Sequence, residues 1–402
     1  MTEDGIRGVE RATEDRLPRR DWIVLPCLFF GTAILLAGGA ELVARLAFRR
    51  SQEGVERCVV LNDATTGPRG IPNSVCTQEY PETERIEYRF NSCGHRAGME
   101  CGPKAAGVYR IVMTGSSAAM GMRVEQRQSF AALLPEALSE KTGRRVELYN
   151  ASIGAKFSHR AALGFNEVLA ARPDLILWIL MPADVAGSSP VQAKPEEIGE
   201  RKSKSLAERM SLRAKQIVGS DSGMNALADL YMRSRTALLL EHFLYQSESL
   251  YVPAALAGKE SDVGFLRDPM GALWNERLRQ VDSDAATMEG QARDAGIPFV
   301  AAYVPTRAQA AMVSMRHWPT GFDPYKLDDR LRAIIESHGG KYVDTLPEFW
   351  AIPNAGRFYF PMDGHPNAEG HAELARLLAK QLGSGVVPAL RVDEQRNAGG
   401  GR

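Results

Sequence analysis

Charge of one sign is missing: Lys plus Arg and Asp plus Glu each number 49, so the 402-residue chain has no net charge. A balanced chain has no electrostatic reason to gather on a polyphosphate, and no basic stripe interleaves with aromatics. Nucleic acid is therefore not expected as a partner. Histidine is scarce, at seven. No ligand cluster shows metal-binding spacing and no glycine-rich loop is shaped to cradle phosphates, so neither a metal nor a cofactor is expected. Internal repeats are missing too. Cysteine stops at Cys101, leaving the last 300 or so residues without one. What remains, 44% hydrophobic and 24% charged, is ordinary globular composition, enough for one large or two small domains.

The longest uncharged run is Trp22–Ala40, WIVLPCLFFGTAILLAGGA. A helix needs about 20 such residues to cross the hydrocarbon layer. Trp22 suits one interface, and Arg45, Arg49 and Arg50 suit the phosphates of the other. The competing reading is a cleaved signal peptide, given Gly38-Gly39-Ala40; but the run exceeds the usual signal core of about 7–15 residues, and basic residues follow it. A single-pass anchor over 21–48 is expected, with 1–20 as a cytoplasmic tail. Arginines flank both ends, so charge sets the orientation only faintly. Cys58, Cys76, Cys93 and Cys101 set it better: four cysteines in one loop-rich segment suggest a disulfide staple and an oxidising compartment. Cys58–Cys76 with Cys93–Cys101 is the simplest of three connectivities. A zinc site is the alternative, although C-x₂-C spacing and a histidine pair are lacking. These features together are expected to put the main domain outside the cytoplasm.

Residues 51–105 read as an irregular, stapled lead-in, and 386–402 as a flexible tail. Between them strand and helix signals alternate. Strands are expected at Tyr109–Met113, Val146–Tyr149, Leu175–Met181, Phe299–Val304 and Tyr342–Val343, and helices at Ser129–Leu138, Ala161–Ala171, Trp274–Ala295, Leu327–Ser337 and Ala368–Leu382. That rhythm predicts an α/β domain over 106–385, a three-layer doubly wound sheet, mostly parallel and flavodoxin-like, whose functional residues gather at the carboxyl ends of strands. An insertion at about 186–272, with an amphipathic stretch at Met224–Glu241, interrupts it as a cap or lobe.

Two motifs can carry chemistry. Gly115-Ser116-Ser117 follows a buried strand and opens a helix, which exposes the Ser117 hydroxyl and offers its own N–H to a developing oxyanion. The bland reading is a tight turn built of small residues. Far downstream, Asp363-Gly364-His365-Pro366-Asn367 puts an acid and a histidine in one short loop before the last helix, with Asn367 as its N-cap. A serine nucleophile needs a base for its proton, and the base needs an acid to fix its tautomer.

Together, in this order, the motifs resemble the SGNH/GDSL hydrolases, in the form found in membrane-anchored bacterial members. Gly115-Ser116-Ser117 is similar to the first block and Tyr149-Asn150-Ala151-Ser152-Ile153-Gly154 to the second. RPDLIL precedes the third block, and Asp363-Gly364-His365-Pro366-Asn367 matches the fifth. The lead-in YRFNSCGHR, then YRIVMTGSSAAMG and RVEQRQSFAALL, carry the likeness further, over about 86–185 and 296–383. The resemblance implies Ser117 as nucleophile, His365 as base, Asp363 as its acid, and the N–H groups of Ser117 and Gly154 as the oxyanion hole. Two departures stand out. The third-block asparagine is replaced, in Met181-Pro182-Ala183-Asp184, by Ala183, and Asp363-x-His365 is one residue tighter than the usual Asp-x-x-His. Asn150, Asp184 and Arg307 are weaker substrate contacts, the first two with a competing role in their own loops and Arg307 at a strand end that opens into a Pro-marked loop, and Lys156 and His159 read as solvent-exposed. The function implied is an esterase acting on acyl esters, acetyl among them, of an envelope or exopolysaccharide glycan, alongside envelope polysaccharide-assembly proteins. An O-acyltransferase using the same site, or a non-catalytic glycan-binding scaffold, are the alternatives.

Overall fold

The computed structural model describes residues 18, 20–47, 54–61, 63, 65–187 and 234–392. Most of the expected N-terminal tail, the stretch 188–233 of the expected insertion with the start of Met224–Glu241, and the end of the C-terminal tail lie outside them. The chain divides into two units, Met1–Ala47 and Phe48–Arg402.

The first unit is the helix α1 (Asp21–Ala47). Its segment Asp21–Leu46 is long and apolar enough to cross a membrane, a description that a signal sequence also meets. At 1.5 Å per residue, 26 residues extend about 39 Å, more than the hydrocarbon thickness of about 30 Å.

The second unit opens with two small antiparallel pairs: β1 (Val59–Val60) with β2 (Arg69–Gly70), and β3 (Val75–Gln78) with β4 (Ile86–Arg89). Five parallel strands follow: β5 (Val108–Thr114), β6 (Arg145–Asn150), β7 (Leu175–Leu180), β8 (Phe299–Tyr303) and β9 (Lys341–Asp344), in the order β6-β5-β7-β8-β9. Every residue of β5, β7 and β8 is buried, which is why β7 and β8 read as unbroken apolar runs, while in β5 the buried Arg110 pairs with Glu147 at 2.6 Å. This is the doubly wound order in which the chain reverses direction between β5 and β7. In sheets of this order ligands bind outside the carboxyl ends of the strands at that point.

Helices connect and flank the strands. α2 (Ser117–Met120) and α3 (Phe130–Thr142) follow β5; α4 (Ser158–Leu163) and α5 (Phe165–Ala170) follow β6; α6 (Pro182–Ala186) follows β7. α7 (Arg235–Leu244), α8 (Glu248–Leu256), α9 (Glu260–Val263) and α10 (Ala272–Asp294) precede β8. α11 (Arg307–Met315) and α12 (Lys326–His338) lead to β9, and α13 (Ala368–Gln381) ends the fold. α3 packs on α13, and α10 on α4 and α12. The single helix expected over Ala161–Ala171 is two, meeting at Gly164, whose φ and ψ are −89° and 11°. The Thr66 carbonyl of the lead-in comes so close there that a Cβ would lie 2.3 Å from it, which leaves room for glycine alone.

The lead-in is joined to the sheet's carboxyl end by a core of its own. Val55, Cys58, Cys76, Ile86, Tyr88 and Phe90 pack with Met120 of α2 and Ile153 of the loop after β6. Cys58 and Cys76 lie in disulfide contact, as do Cys93 and Cys101. Arg96 is buried in the same place with its guanidinium over the Tyr88 ring. It donates to the carbonyls of Met120 (3.1 Å), Gly121 (2.5 Å) and Val124 (2.8 Å), which caps the end of α2.

Candidate active site

β5 delivers its last residue into the turn Gly115-Ser116, and Ser117 is the first residue of α2. The turn needs glycine at 115: a Cβ there would sit 2.8 Å from the Ile179 carbonyl and 2.9 Å from Ala119 Cβ. As the first residue of a helix, Ser117 has no intrahelical acceptor for its N–H, and its hydroxyl stands clear of the strand. The loop after β6 runs beside this turn, because Ala151 N–H donates to Met113 O (2.8 Å) and Ile153 N–H to Gly115 O (3.2 Å). Gly154 comes next. A Cβ there would touch only Met122 Cε, at 3.4 Å, and among the described residues the Gly154 N–H has no acceptor. The position is open to a ligand oxygen.

The fifth-block loop comes to the same place from the other end of the chain. Phe360 N–H donates to His365 O and Gly364 N–H to Phe360 O, both at 2.9 Å, closing the loop on itself. Gly364 makes the tight Asp-x-His spacing workable: its φ is +80°, a region that L side chains rarely adopt, although there is space for a side chain. The outcome is a continuous chain of contacts. Ser117 Oγ lies 2.8 Å from His365 Nε2, and His365 Nδ1 lies 2.5 Å from Asp363 Oδ1. That same oxygen accepts the His365 backbone N–H at 3.2 Å. The three side chains meet although 248 residues separate Ser117 from His365.

The second Asp363 oxygen accepts Arg123 Nε–H at 2.7 Å. Burial by itself would raise this carboxyl, but the charges and hydrogen bonds of His365 and Arg123 outweigh it. They hold Asp363 well below the usual carboxylate range. Arg123 is itself fixed: its guanidinium lies over the Tyr80 ring (3.1 Å), its N–H donates to Tyr88 Oη (3.1 Å), and its φ is +74°. The residue lies inside RVEQRQ, but nothing in the spacing marked it among 49 basic side chains. A positive φ at a non-glycine residue beside the site is its structural signature.

The weaker candidates are engaged in contacts within the protein. Asn150 is buried, with Nδ2 donating to Ala119 O (2.9 Å) and Oδ1 accepting Ser152 N–H (3.1 Å), so it ties the second-block loop to α2. Asp184 accepts Met181 N–H at 2.9 Å, and burial pushes its carboxyl up to about 7, with the Met181 N–H offsetting only part of that. It fastens the start of α6 to the end of β7. Arg307 corrects the expectation of a substrate contact. It is 2% exposed, stacks over Tyr251, and donates to the carbonyls of Gly356, Pro361 and Tyr245. Lys156 is also a correction: it is 1% exposed, its ammonium donates to Ala151 O (3.2 Å), and burial lowers it to about 8. His159 is partly exposed and contacts Asp284 at 3.2 Å. His371, six residues past His365, is a core histidine; its Nδ1 accepts Phe130 N–H (3.2 Å) and burial lowers it to about 3. Among the described residues no cluster of His, Cys, Asp and Glu is arranged to hold a metal.

No family model matches the chain, and no curated protein does. Solved structures similar to it include TesA, at 12% identity over 70% of this chain and 99% of that one, with a TM-score of 0.38. The esterase EstA from Pseudoalteromonas sp., inhibited by monoethylphosphonate, is similar at 11% over 68% and 96%, TM-score 0.34. A lipase/acylhydrolase from Enterococcus faecalis is similar at 10% over 68% and 95%, TM-score 0.33. Likeness this loose leaves the functional reading to the side chains themselves.

Proposed function

We propose that this chain is a serine ester hydrolase of the SGNH type. The observation that carries the reading is the unbroken chain from Ser117 Oγ through His365 to Asp363. In the forward step Ser117 Oγ attacks the ester carbonyl carbon while His365 Nε2 takes its proton. Asp363 holds the Nδ1–H and balances the imidazolium. The oxyanion that forms is met by the N–H groups of Ser117 and Gly154. Collapse breaks the bond to the alcohol, which leaves with the proton from His365. Water, deprotonated by the same histidine, then attacks the acyl-serine and releases the acid and free Ser117.

In the same reading α1 is an uncleaved anchor in the inner membrane and the Phe48–Arg402 unit faces the periplasm. There the two cysteine pairs are oxidised and acylated envelope glycans are the substrates. A sugar hydroxyl in place of water would make the same acyl-enzyme an O-acyltransferase. Ala183 favours one further reading, a non-catalytic glycan-binding protein, because the third-block donor of SGNH enzymes has no counterpart there.

The test is labelling of the full chain, in detergent micelles, with a fluorophosphonate. Wild type is expected to label, and Ser117→Ala and His365→Ala to lose the label. A folded wild type that stays unlabelled removes the hydrolase reading and leaves the binding protein.

A further inference from the structure

Glu82 sits in the connection 79–85 between β3 and β4, outside every block of the resemblance. Its side chain is 4% exposed, yet both its oxygens are engaged. Met362 N–H approaches Oε1 at 3.0 Å and Oε2 at 3.2 Å, and Asp363 N–H donates to Oε2 at 2.8 Å. His242, on α7, places Nδ1 2.9 Å from Oε1. A carboxylate is costly to shelter from water unless donors meet it, and here two consecutive backbone N–H groups of the acid–base loop do so.

Resting on the hydrolase reading, we propose that Glu82 is the positioning residue that fixes the Asp363–His365 loop relative to Ser117. The loop's own hydrogen bonds, Phe360 to His365 and Gly364 to Phe360, set its shape and not its place. Its place is set from outside. The hairpin that carries Glu82 shares a core with Met120, three residues past the nucleophile, and with Ile153, next to the oxyanion glycine. The same hairpin connection supplies Tyr80, against which Arg123 stacks while holding Asp363 Oδ2. One small module therefore grips the nucleophile turn with its core and the acid–base loop with Glu82. Only one residue separates Asp363 from His365, so a shift of the Asp363 backbone passes straight to the 2.5 Å contact at Nδ1. The charged groups facing Glu82 from neighbouring elements are His242, Arg307 and, through its backbone N–H, Asp363.

The test uses the full chain in micelles, reads phosphonylation of Ser117 against probe concentration, and follows thermal unfolding alongside. Glu82→Ala is expected to lower the maximal rate about 10- to 100-fold, with the half-saturating probe concentration unchanged, as for an ångström-scale misplacement of reacting groups. Glu82→Gln keeps an acceptor for both N–H groups and is expected to stay close to the wild-type rate. Glu82→Asp keeps the charge but withdraws it by one methylene, and is expected to fall as alanine does; it decides the matter if alanine does not fold. Wild-type labelling in Glu82→Ala, or in Glu82→Asp, overturns the inference while leaving the hydrolase reading standing. Glu82→Gln as slow as alanine overturns it too, since the hydrogen bonds would then not be what matters. An unlabelled wild type overturns both.

Discussion

Replacing Arg123 with methionine tests whether Asp363 is held by its second oxygen as well as by His365. Methionine keeps an apolar stem against Tyr80 and removes the charge and its donors. The pair is 2.7 Å apart with side chains 14% and 21% exposed, so it is mostly sheltered but not dry. Two charges at about 4 Å interact by about 4 kcal/mol at an effective dielectric of about 20. Solvent access takes the expected cost below that, to about 2–3 kcal/mol. The sign follows from Asp363. Its folded carboxyl is depressed, so its contribution is present above the unfolded value of 3.8 and is lost as pH falls through the folded one. Arg123→Met raises the folded value, so the stability gap to wild type is expected in full at pH 5–8 and to shrink below about 4. Phosphonylation at neutral pH is expected to fall about tenfold, and its acid limb to move to higher pH, because a positive charge beside the Asp363–His365 pair is gone. Denaturant unfolding across pH and labelling rates measure both. Equal stability at neutral pH with an unmoved acid limb would refute the argument.

Three further outcomes are expected. Asp184 keeps its proton to about pH 7 when folded and to 3.8 when unfolded, so wild-type stability falls as pH rises through that window, by about 4 kcal/mol at most; Asp184→Asn is expected to flatten that slope in urea titrations, and parallel curves would count against it. Cys76→Ser opens a crosslink spanning 18 residues, a loss of about 3 kcal/mol, and is expected to slow phosphonylation because the loosened hairpin carries Tyr80 and Glu82; a wild-type rate would show that the hairpin does not depend on the crosslink. Ala183→Asn supplies a side-chain donor where the resemblance places one, and kcat/KM on an activated acetate ester is expected to rise about tenfold, with no change meaning that another group already fills that role.

The sheet was legible because its strands are buried on both faces, which writes them as LILWIL and FVAAY with little to compete. The Ser117 turn and the Asp363–His365 loop were legible only as a pair, since a small-residue turn after a strand is by itself an ordinary turn, whereas acid, glycine and histidine stand consecutively in irregular chain. What the sequence hid depends on approach between distant segments. Glu82 is one of three glutamates in QEYPETER, and no local pattern separates the one that turns inward. Lys156 looks like a surface charge and Arg307 like a substrate contact until the carbonyls that receive them are known, since a long side chain buries its stem and finds acceptors only in the folded chain. Gly164 hid its helix break in the same way, the carbonyl that meets it lying nearly a hundred residues upstream.

These hidden contacts bear on the tight Asp-x-His spacing. Removing a residue from that loop removes freedom for the acid to find the imidazole, so the geometry has to be imposed. Gly364 imposes it locally through its left-handed backbone, Arg123 through the far carboxylate oxygen, and Glu82 through the Asp363 N–H. Two of these three act through the β3–β4 connection, Arg123 by stacking on Tyr80 and Glu82 directly. A chain cut at residue 106 would keep every residue of the two motifs, with Gly364 and Arg123, and lose Glu82 and the Tyr80 ring on which Arg123 stacks. The lead-in is therefore better regarded as part of the site than as a spacer between α1 and the sheet.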